Sequence, residues 1–271
     1  MEFSDRASFY WGNLTWPELR ETAARKPVVI QPIGATEQHG FHLPLNTDNF
    51  IVTRLCDAAA RRAPDEMLIM PPIPYAFNAH HMDFPGVVAI RWDSLINYLI
   101  DVVTSVTAHG FDRFIFISGH GVNPPYLAVV GNEVNVRTGA LCASLLWAAL
   151  ADNVGEVRDS LKPGGIAHAC ELETSVMQYL DHDRVRSDKI VDDMKFVQGR
   201  YLQMDLEGGT GVHLGEHWWS SFSPSGVTGQ ATLATAEKGR LIFERAAENL
   251  VELVRELRAR PNPTDTRIDL H

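Results

Sequence analysis

Short apolar runs alternate along the chain with segments in which apolar residues recur every three or four positions. Four runs, rich in Val, Ile, Leu and Phe, predict buried strands at residues 27–33, 67–70, 114–117 and 141–147. The helical spacing predicts helices at residues 15–25, from 47 or 48 onward, and at 93–109, 124–136, 169–180 and 235–258. Thr15, Pro17 and Glu18 have the form of a capping box and fix the start of the first helix.

This alternation of strands and helices determines the expected fold class. Strands separated by helices pair in parallel, and helices then cover both faces of the sheet. We therefore predict an α/β fold, a single three-layer α/β/α sandwich with a mostly parallel sheet. No repeat or linker-like tract divides the 271 residues, so one domain over residues 1–271 is expected. The glycine-rich stretch 208–229 is expected to form an active-site or interface loop.

Composition and charge exclude several classes of function. Apolar residues make up 45% of the chain, which is typical of a globular protein. The net charge is −10 and no run of Lys or Arg occurs, which argues against nucleic acid as a partner. The longest uncharged apolar stretch that could form a helix, residues 138–151, has 14 residues. A membrane span needs about 20, so no membrane association is expected.

The amino terminus and the cysteines predict the compartment. The first six residues include acidic and polar side chains where a signal peptide would have apolar ones. Three cysteines, Cys56, Cys142 and Cys170, cannot all pair, and none belongs to a CxxC motif. A reducing, cytoplasmic location is therefore expected.

The loop after the first predicted strand carries three side chains that suit a metal ion. Glu37 and His39 are two residues apart, so they share one face of extended backbone, and Asp48 follows at the start of the next helix. Carboxylate and imidazole ligands together suit Zn²⁺, Mn²⁺ or Fe²⁺ better than Ca²⁺. The alternative, which spacing alone leaves open, is that these are loop polar groups and a helix cap.

A second candidate, His120, lies between Gly119 and Gly121 directly after the third predicted strand. Glycines allow a sharp bend and close approach of the backbone to a ligand. Ligands of open α/β sheets collect outside the carboxyl ends of the strands. This position favours a functional histidine over a structural one.

A third group, His168, Glu171 and Glu173, lies at the start of the predicted helix 169–180. A spacing of three predicts that His168 and Glu171 are neighbours on one helical face, with Glu173 pointing away. The alternative is that His168 caps the helix and the glutamates favour its positive end.

Taken together, these three segments resemble the creatininase family of metal-dependent amidohydrolases. The motifs are EQHGFHLPLNTD at 37–48, GHGVN at 119–123 and HACELETS at 168–175. The resemblance extends to the FPG sequence at 84–86 and to GVTG and ATAEKG near the carboxyl end, and covers roughly residues 10–255. The agreement of three separated motifs makes it specific.

The resemblance implies a centre of two divalent ions per subunit, Zn²⁺, Mn²⁺ or Fe²⁺. Asp48 would bridge the ions, with His39 on one and Glu37 and His120 on the other. Creatininase takes a further ligand two residues after the histidine of the second motif, where this chain has Val122. Many relatives use the first glutamate of the third motif instead. The expected ligands are Glu37, His39, Asp48, His120 and Glu171.

The expected activity is hydrolysis of a non-peptide C–N bond in an amide, cyclic amide or formamide. Two ions about 3.5–4 Å apart hold a bridging hydroxide and polarise a carbonyl. His168 is the expected general acid, because imidazole titrates near neutrality. Glu173 is expected to orient a ligand or His168, the alternative being a simple helix charge.

Further residues are expected to shape a substrate pocket. They are His80, His81, Asn123, His217, Trp218 and Trp219. His213, Glu216 and His217 also match the HxxEH pattern of a single-zinc peptidase, which needs a helix. Four glycines between residues 208 and 215 disfavour a helix and therefore this motif.

Several rival functions remain open at this point. They are creatininase proper, a maturation peptidase or metal-containing binding protein that acts on a partner peptide, and a lyase or isomerase on a related scaffold. Creatinine is disfavoured because Val122 replaces a ligand and no tryptophan lies just before His168. A small-molecule amide is the expected partner. The resemblance implies a homo-oligomer, commonly a hexamer.

Overall fold

The computed structural model describes residues 7–207, 212, 214–215 and 217–261, and contains a parallel four-stranded sheet. The strands of this sheet are β1 (Val28–Ile33), β2 (Met67–Ile69), β3 (Arg113–Ser118) and β4 (Leu141–Leu146). Their order is β2-β1-β3-β4, and every neighbouring pair is parallel. All four predicted strands are confirmed to within about two residues at each end.

The helices follow the predicted periodicity. They are α1 (Trp16–Ala24), α2 (Thr47–Arg62), α3 (Trp92–Thr107), α4 (Pro124–Thr138), α5 (Val154–Val157), α6 (Glu171–Leu180) and α7 (Ala236–Ala259). The capping box forms as expected, since the backbone N–H of Thr15 donates to Glu18 at 2.7 Å. Only the short α5 was not predicted from the sequence.

Two apolar cores lie on opposite faces of the sheet. Val28 and Ile30 of β1 pack with α2, α6 and α7 on one face. Val29 and Ile33 pack with α3 and α4, and with part of α1, on the other. The alternation along β1 is the period-two pattern of a strand covered on both sides. The predicted three-layer α/β/α architecture is therefore confirmed.

A second, smaller sheet was not predicted. It consists of β5 (Ile166–His168), β6 (Asp192–Asp193) and β7 (Thr228–Gln230), antiparallel in the order β5-β7-β6. Strands of two or three residues are too short to give a periodic signal. This sheet places His168 at the end of a strand, three residues before α6 begins.

Among the described residues, we find no helix that combines the length and the apolar character required to cross a bilayer.

Candidate metal centre

Six ionisable side chains, from two loops, from β5 and from the first turns of α2 and α6, converge beyond the carboxyl ends of β1, β3 and β5. Each of the six side chains is less than a tenth exposed. They are Glu37, His39, Asp48, His120, His168 and Glu173. Ligand atoms of Glu37, His39 and Asp48 lie within 4.8 Å of one another, as do those of His39, His168 and Glu173. The structure therefore brings four of the five expected metal ligands together.

One half of the cluster is formed by Glu37, Asp48 and His120. Nδ1 of His120 lies 3.0 Å from Oε1 of Glu37 and 3.6 Å from Oδ2 of Asp48. Among the described residues, the other oxygen of Glu37, Oδ2 of Asp48 and Nε2 of His120 are buried without a hydrogen-bond partner. Buried polar atoms rarely remain unpaired, so the two carboxylate oxygens fit the ligand atoms of a cation. His120 faces both carboxylates through Nδ1.

The other half is formed by His39, Asp48 and Glu173. Nε2 of His39 lies 3.0 Å from Oδ1 of Asp48 and 3.8 Å from Oε1 of Glu173. The opposite ring nitrogen, Nδ1, lies 3.3 Å from the carbonyl oxygen of Glu37. A backbone carbonyl at Nδ1 fixes the tautomer that leaves Nε2 free to bind a metal.

Glu171 does not join this cluster, contrary to the expectation from the sequence. Its carboxylate forms an ion pair with Lys238 and accepts the N–H groups of Asp159 and Ser160 at 3.1 and 3.0 Å. The helical-spacing argument does not apply, because His168 belongs to β5 and α6 begins only at Glu171. Glu173, expected to point away, is the glutamate that faces His39.

Burial and mutual charge perturb the pKa values of the cluster. Burial, with the Glu37 carboxylate nearby, raises the pKa of Asp48 to about 6. Burial lowers the pKa of His120, but the adjacent Glu37 carboxylate outweighs it and raises the value to about 9. Three buried carboxylates in one space repel each other, and bound cations would relieve that repulsion.

His168 lies beside the cluster with one ring nitrogen engaged. Its Nε2 lies 2.7 Å from the carbonyl oxygen of Gln38, and its Nδ1 lies 3.8 Å from Oε1 of Glu37. Burial, reinforced by the nearby His39, lowers the pKa of His168 to about 4. The imidazole is therefore neutral at pH 7, with Nδ1 available as a proton acceptor.

Gln38 organises the surroundings of His168 and was not predicted from the sequence. Its side-chain nitrogen lies 2.9 Å from Nδ1 of His81 and 3.0 Å from Nε2 of His168, and donates to the carbonyl of Gly226 at 3.1 Å. Gln38 lies between two proposed ligands in the first motif, and this position was the signal available in the sequence.

Aromatic rings form one wall beside the cluster. The ring of Trp219 stacks on His81 with centroids 4.5 Å apart and meets His168 edge-on at 5.0 Å. His80 stacks on His120 at 5.9 Å. Of the residues expected to shape the pocket, the structure therefore places His80, His81 and Trp219 at the site.

Three other expected pocket residues are not in the lining of the cavity. Asn123 is buried beneath the loop, where its amide donates to Ser118 Oγ at 3.1 Å, so it braces the backbone beside His120. His217 and Trp218 are exposed. His213 and Glu216 of the HxxEH pattern lie outside the described residues.

The cluster opens into a cavity of about 360 Å³. A volume near 300 Å³ is at the lower end of the range for sites that bind drug-sized molecules. Beyond the cluster, the lining residues include Val122, Tyr126, Leu146, Phe196, Leu202, Met204, Asp205 and Leu206. Glycine is required at the floor, since a Cβ on Gly119 would lie 2.4 Å from the carbonyl oxygen of Asp48.

A family comparison identifies the group of proteins that shares this arrangement. The sequence model of the creatininase family, described as creatinine amidohydrolase, matches residues 12–254. The chain belongs to the creatininase family. This confirms the resemblance drawn from the three motifs, and creatininase-family proteins are hydrolases.

Relatives in the creatininase family carry different activities in their names. The mycofactocin precursor peptide peptidase of Mycobacterium ulcerans is 31% identical over 235 residues, covering 84% of this chain and 84% of that protein. The 3-dehydro-scyllo-inosose hydrolase of Thermotoga maritima is 26% identical over 266 residues, covering 93% and 84%. The creatinine amidohydrolase of Pseudomonas putida is 27% identical over 267 residues, covering 92% and 97%.

Solved creatininase structures share the fold. A manganese form superposes with a TM-score of 0.78 at 24% identity, covering 92% of this chain and 98% of that one. A mutant of Zn-Zn type gives 0.77 at 24% identity, covering 92% and 97%.

Proposed function

We propose that this chain is an amidohydrolase that depends on two divalent ions and cleaves a non-peptide C–N bond. One observation carries the proposal. Unpaired carboxylate oxygens of Glu37 and Asp48 are buried beside His39, and ligand atoms of these three side chains lie within 4.8 Å of one another. Such a set of oxygen and imidazole ligands suits Zn²⁺, Mn²⁺ or Fe²⁺.

The side chains divide between two ions around a shared carboxylate. Glu37 and His120 would hold one ion, His39 and Glu173 the other, and Asp48 lies between the two groups. Glu173 thus takes the place that the sequence assigned to Glu171. Bound ions would supply Lewis-acid polarisation of an amide carbonyl and lower the pKa of water.

His168 is the group that moves the proton. Nε2–H donates to the Gln38 carbonyl, so Nδ1 carries the lone pair and faces Glu37. Neutral His168 accepts a proton from the attacking water at Nδ1 and then donates it to the departing nitrogen. Its low pKa makes the protonated ring a strong acid, and Trp219 and the backbone carbonyl of Gln38 hold the ring in place.

A second candidate is hydrolysis of a peptide bond. The 31% identity to a mycofactocin precursor peptide peptidase favours it. Creatinine amidohydrolase activity is not favoured, since Val122, which cannot bind a metal, lines the cavity at the position where the family resemblance implies a ligand in creatininase.

Assays of metal-loaded protein against a panel of substrates test the proposal. The panel contains creatinine, cyclic ureides and imides, N-formyl amines, and a peptide with a C-terminal amide. Turnover of a non-peptide amide that requires metal and is lost in Asp48→Asn supports it. The surface variant His109→Asn serves as the control and should keep full activity. Turnover of the peptide bond alone would replace the proposal with the second candidate.

We propose in addition a homo-oligomeric, cytoplasmic enzyme. Light scattering of the purified protein measures the oligomeric state, for which a hexamer is expected. A monomeric mass would overturn that part.

A further inference from the structure

One segment of chain, which contributes nothing to the cluster, forms a second region of the cavity lining. Five consecutive residues line it, Leu202, Gln203, Met204, Asp205 and Leu206. We call this segment the apolar wall, because its three larger side chains are Leu202, Met204 and Leu206. The nearby lining residues Phe196, Val122 and Leu146 are apolar as well.

Among the described residues, no positive side chain lines the cavity at the apolar wall, and Arg158, which lies behind the wall, is paired with Asp205. None of the described residues that line the cavity is Lys or Arg. Residues 201–237 contain neither Lys nor Arg, so the glycine-rich loop cannot supply one. A substrate carboxylate or phosphate at the wall would lose its hydration without gaining an ion pair, which is costly.

The one charged group of the wall is already fully paired. Both carboxylate oxygens of Asp205 accept hydrogen bonds from the Arg158 guanidinium, at 3.0 and 3.2 Å. They also accept the N–H groups of Glu207 at 2.9 Å and Gly164 at 2.6 Å. The Asp205 side chain is only 2% exposed, so it offers no attraction to a substrate cation.

The wall is held in position from behind. Arg158 also donates to Glu207 at 3.1 Å, and the N–H of Leu206 donates to the carbonyl of Ile166 in β5 at 2.8 Å. β5 carries His168 at its end. The wall and His168 are therefore fixed to the same strand, and a substrate that contacts both has a defined orientation.

We infer that the apolar wall binds an uncharged, apolar group of the substrate, so that this enzyme selects amides with a neutral aliphatic or aromatic substituent. This inference rests on the proposed function for the identity of the reacting bond. It adds to the proposed function the chemical class of the substrate. It assigns the selection among substrates to Leu202, Met204 and Leu206.

Hydroxamates test the inference without depending on turnover. They chelate divalent ions and place a chosen chain in the cavity. Three probes of similar length differ in charge: heptanohydroxamate is neutral, adipic monohydroxamate carries a carboxylate, and 6-aminohexanohydroxamate carries an ammonium. Calorimetry on the metal-loaded protein should show heptanohydroxamate binding at least about tenfold tighter than either charged probe.

A charge variant sharpens the experiment. Leu202 is 41% exposed, so Leu202→Lys should fold and should shift the ratio toward adipic monohydroxamate by about threefold to tenfold. Val197→Lys is the matched control, since Val197 is 86% exposed and is not a lining residue. It should leave the ratio unchanged.

The outcomes separate this inference from the proposed function. Equal affinity for neutral and anionic probes, or equal effects of Leu202→Lys and Val197→Lys, would overturn the inference even in an active amidase. If the protein prefers heptanohydroxamate to the charged probes but hydrolyses no amide, the proposed function is overturned and the assignment of the apolar wall stands.

Discussion

The carboxylate of Glu171 pairs with Lys238, while that of Glu173, two residues later, faces His39. The first pair joins the start of α6 to α7 and to the loop at Asp159 and Ser160. The second belongs to the candidate metal centre. Two neighbouring glutamates of one motif thus have separate roles, which can be tested with the same substitution.

Glu173→Gln should lose metal and activity, whereas Glu171→Gln should keep both and lose stability. Lys238 is largely buried and would keep only one of its two charge partners, Asp159, so the loss of the Glu171 carboxylate should cost on the order of 1–3 kcal/mol. Elemental analysis and urea unfolding of the two variants provide the measurement. If Glu171→Gln loses a metal ion while its stability is unchanged, Glu171 is a metal ligand and the assignment to Glu173 is wrong.

Metal removal should destabilise the folded protein, because ions bind the native cluster and not the unfolded chain. In the metal-free protein at pH 7, the ionised Asp48 lowers the stability further. Its folded pKa of about 6 lies above the ordinary value of 3.8. The free energy of unfolding of the metal-free protein therefore decreases as the pH rises from 3.8 to about 6.

Metal-free Asp48→Asn should accordingly be more stable than metal-free wild type at pH 7, by roughly 1–3 kcal/mol. The advantage should shrink as the pH falls towards about 4. Added Zn²⁺ or Mn²⁺ should stabilise only the wild type. Denaturant unfolding with and without chelator measures both effects, and a less stable metal-free variant at pH 7 would contradict the charge argument.

His168→Ala should keep both ions and lose about 10²–10⁴ in turnover, the range for a proton-transfer group. The loss should be smaller for amides whose leaving amine is a weak base, since these need less protonation. Rate and metal content are measured on one sample across a series of leaving groups. Depleted metal with a uniform loss would instead make His168 a ligand.

The Arg158–Asp205 pair should contribute far more to substrate binding than an exposed ion pair does, because it holds the apolar wall in position. Asp205→Asn and Arg158→Lys should raise KM for amides with apolar substituents while kcat and metal content change little. Arg255→Met removes the exposed pair with Glu66 and should change neither the stability measurably nor the KM. Equal KM in all three variants would contradict the role of the wall.

Gly119→Ala should damage the site, because its Cβ would collide with the Asp48 backbone at 2.4 Å. Gly121→Ala is the matched control, since a Cβ there meets nothing within 4 Å. We expect lower stability and loss of metal in the first variant only. Metal content and the thermal unfolding temperature are measured for both variants. Equal values would contradict the prediction, because they would show that the loop shifts to accommodate the added Cβ.

The sequence predicted the parallel sheet because its strands are continuous apolar runs between amphipathic helices. It also predicted the convergence of Glu37, Asp48 and His120, since the carboxyl ends of parallel strands meet at one edge. The positions of Glu171 and Glu173 could not be predicted in the same way. They depend on where α6 begins, and β5 and Ala169, with its positive φ of 49°, delay that start.

Gln38 and the apolar wall escaped prediction for a different reason. The amide of Gln38 reaches His81, His168 and Gly226, which are distant in sequence. The wall depends on the bidentate pairing of Arg158 with Asp205, 47 residues apart. Neither local propensity nor periodicity contains information about such long-range polar contacts.

The place of α7 in the structure has a consequence for synthesis of the chain on the ribosome. This helix packs on α2 and α6 and touches β1 and β3, and it follows all of them along the chain. A nascent chain that ends before residue 236 therefore leaves exposed the apolar surfaces of α2 and α6 that pack on α7, and part of one face of the sheet. Until the residues of α7 have been made, this apolar surface makes the chain prone to aggregate.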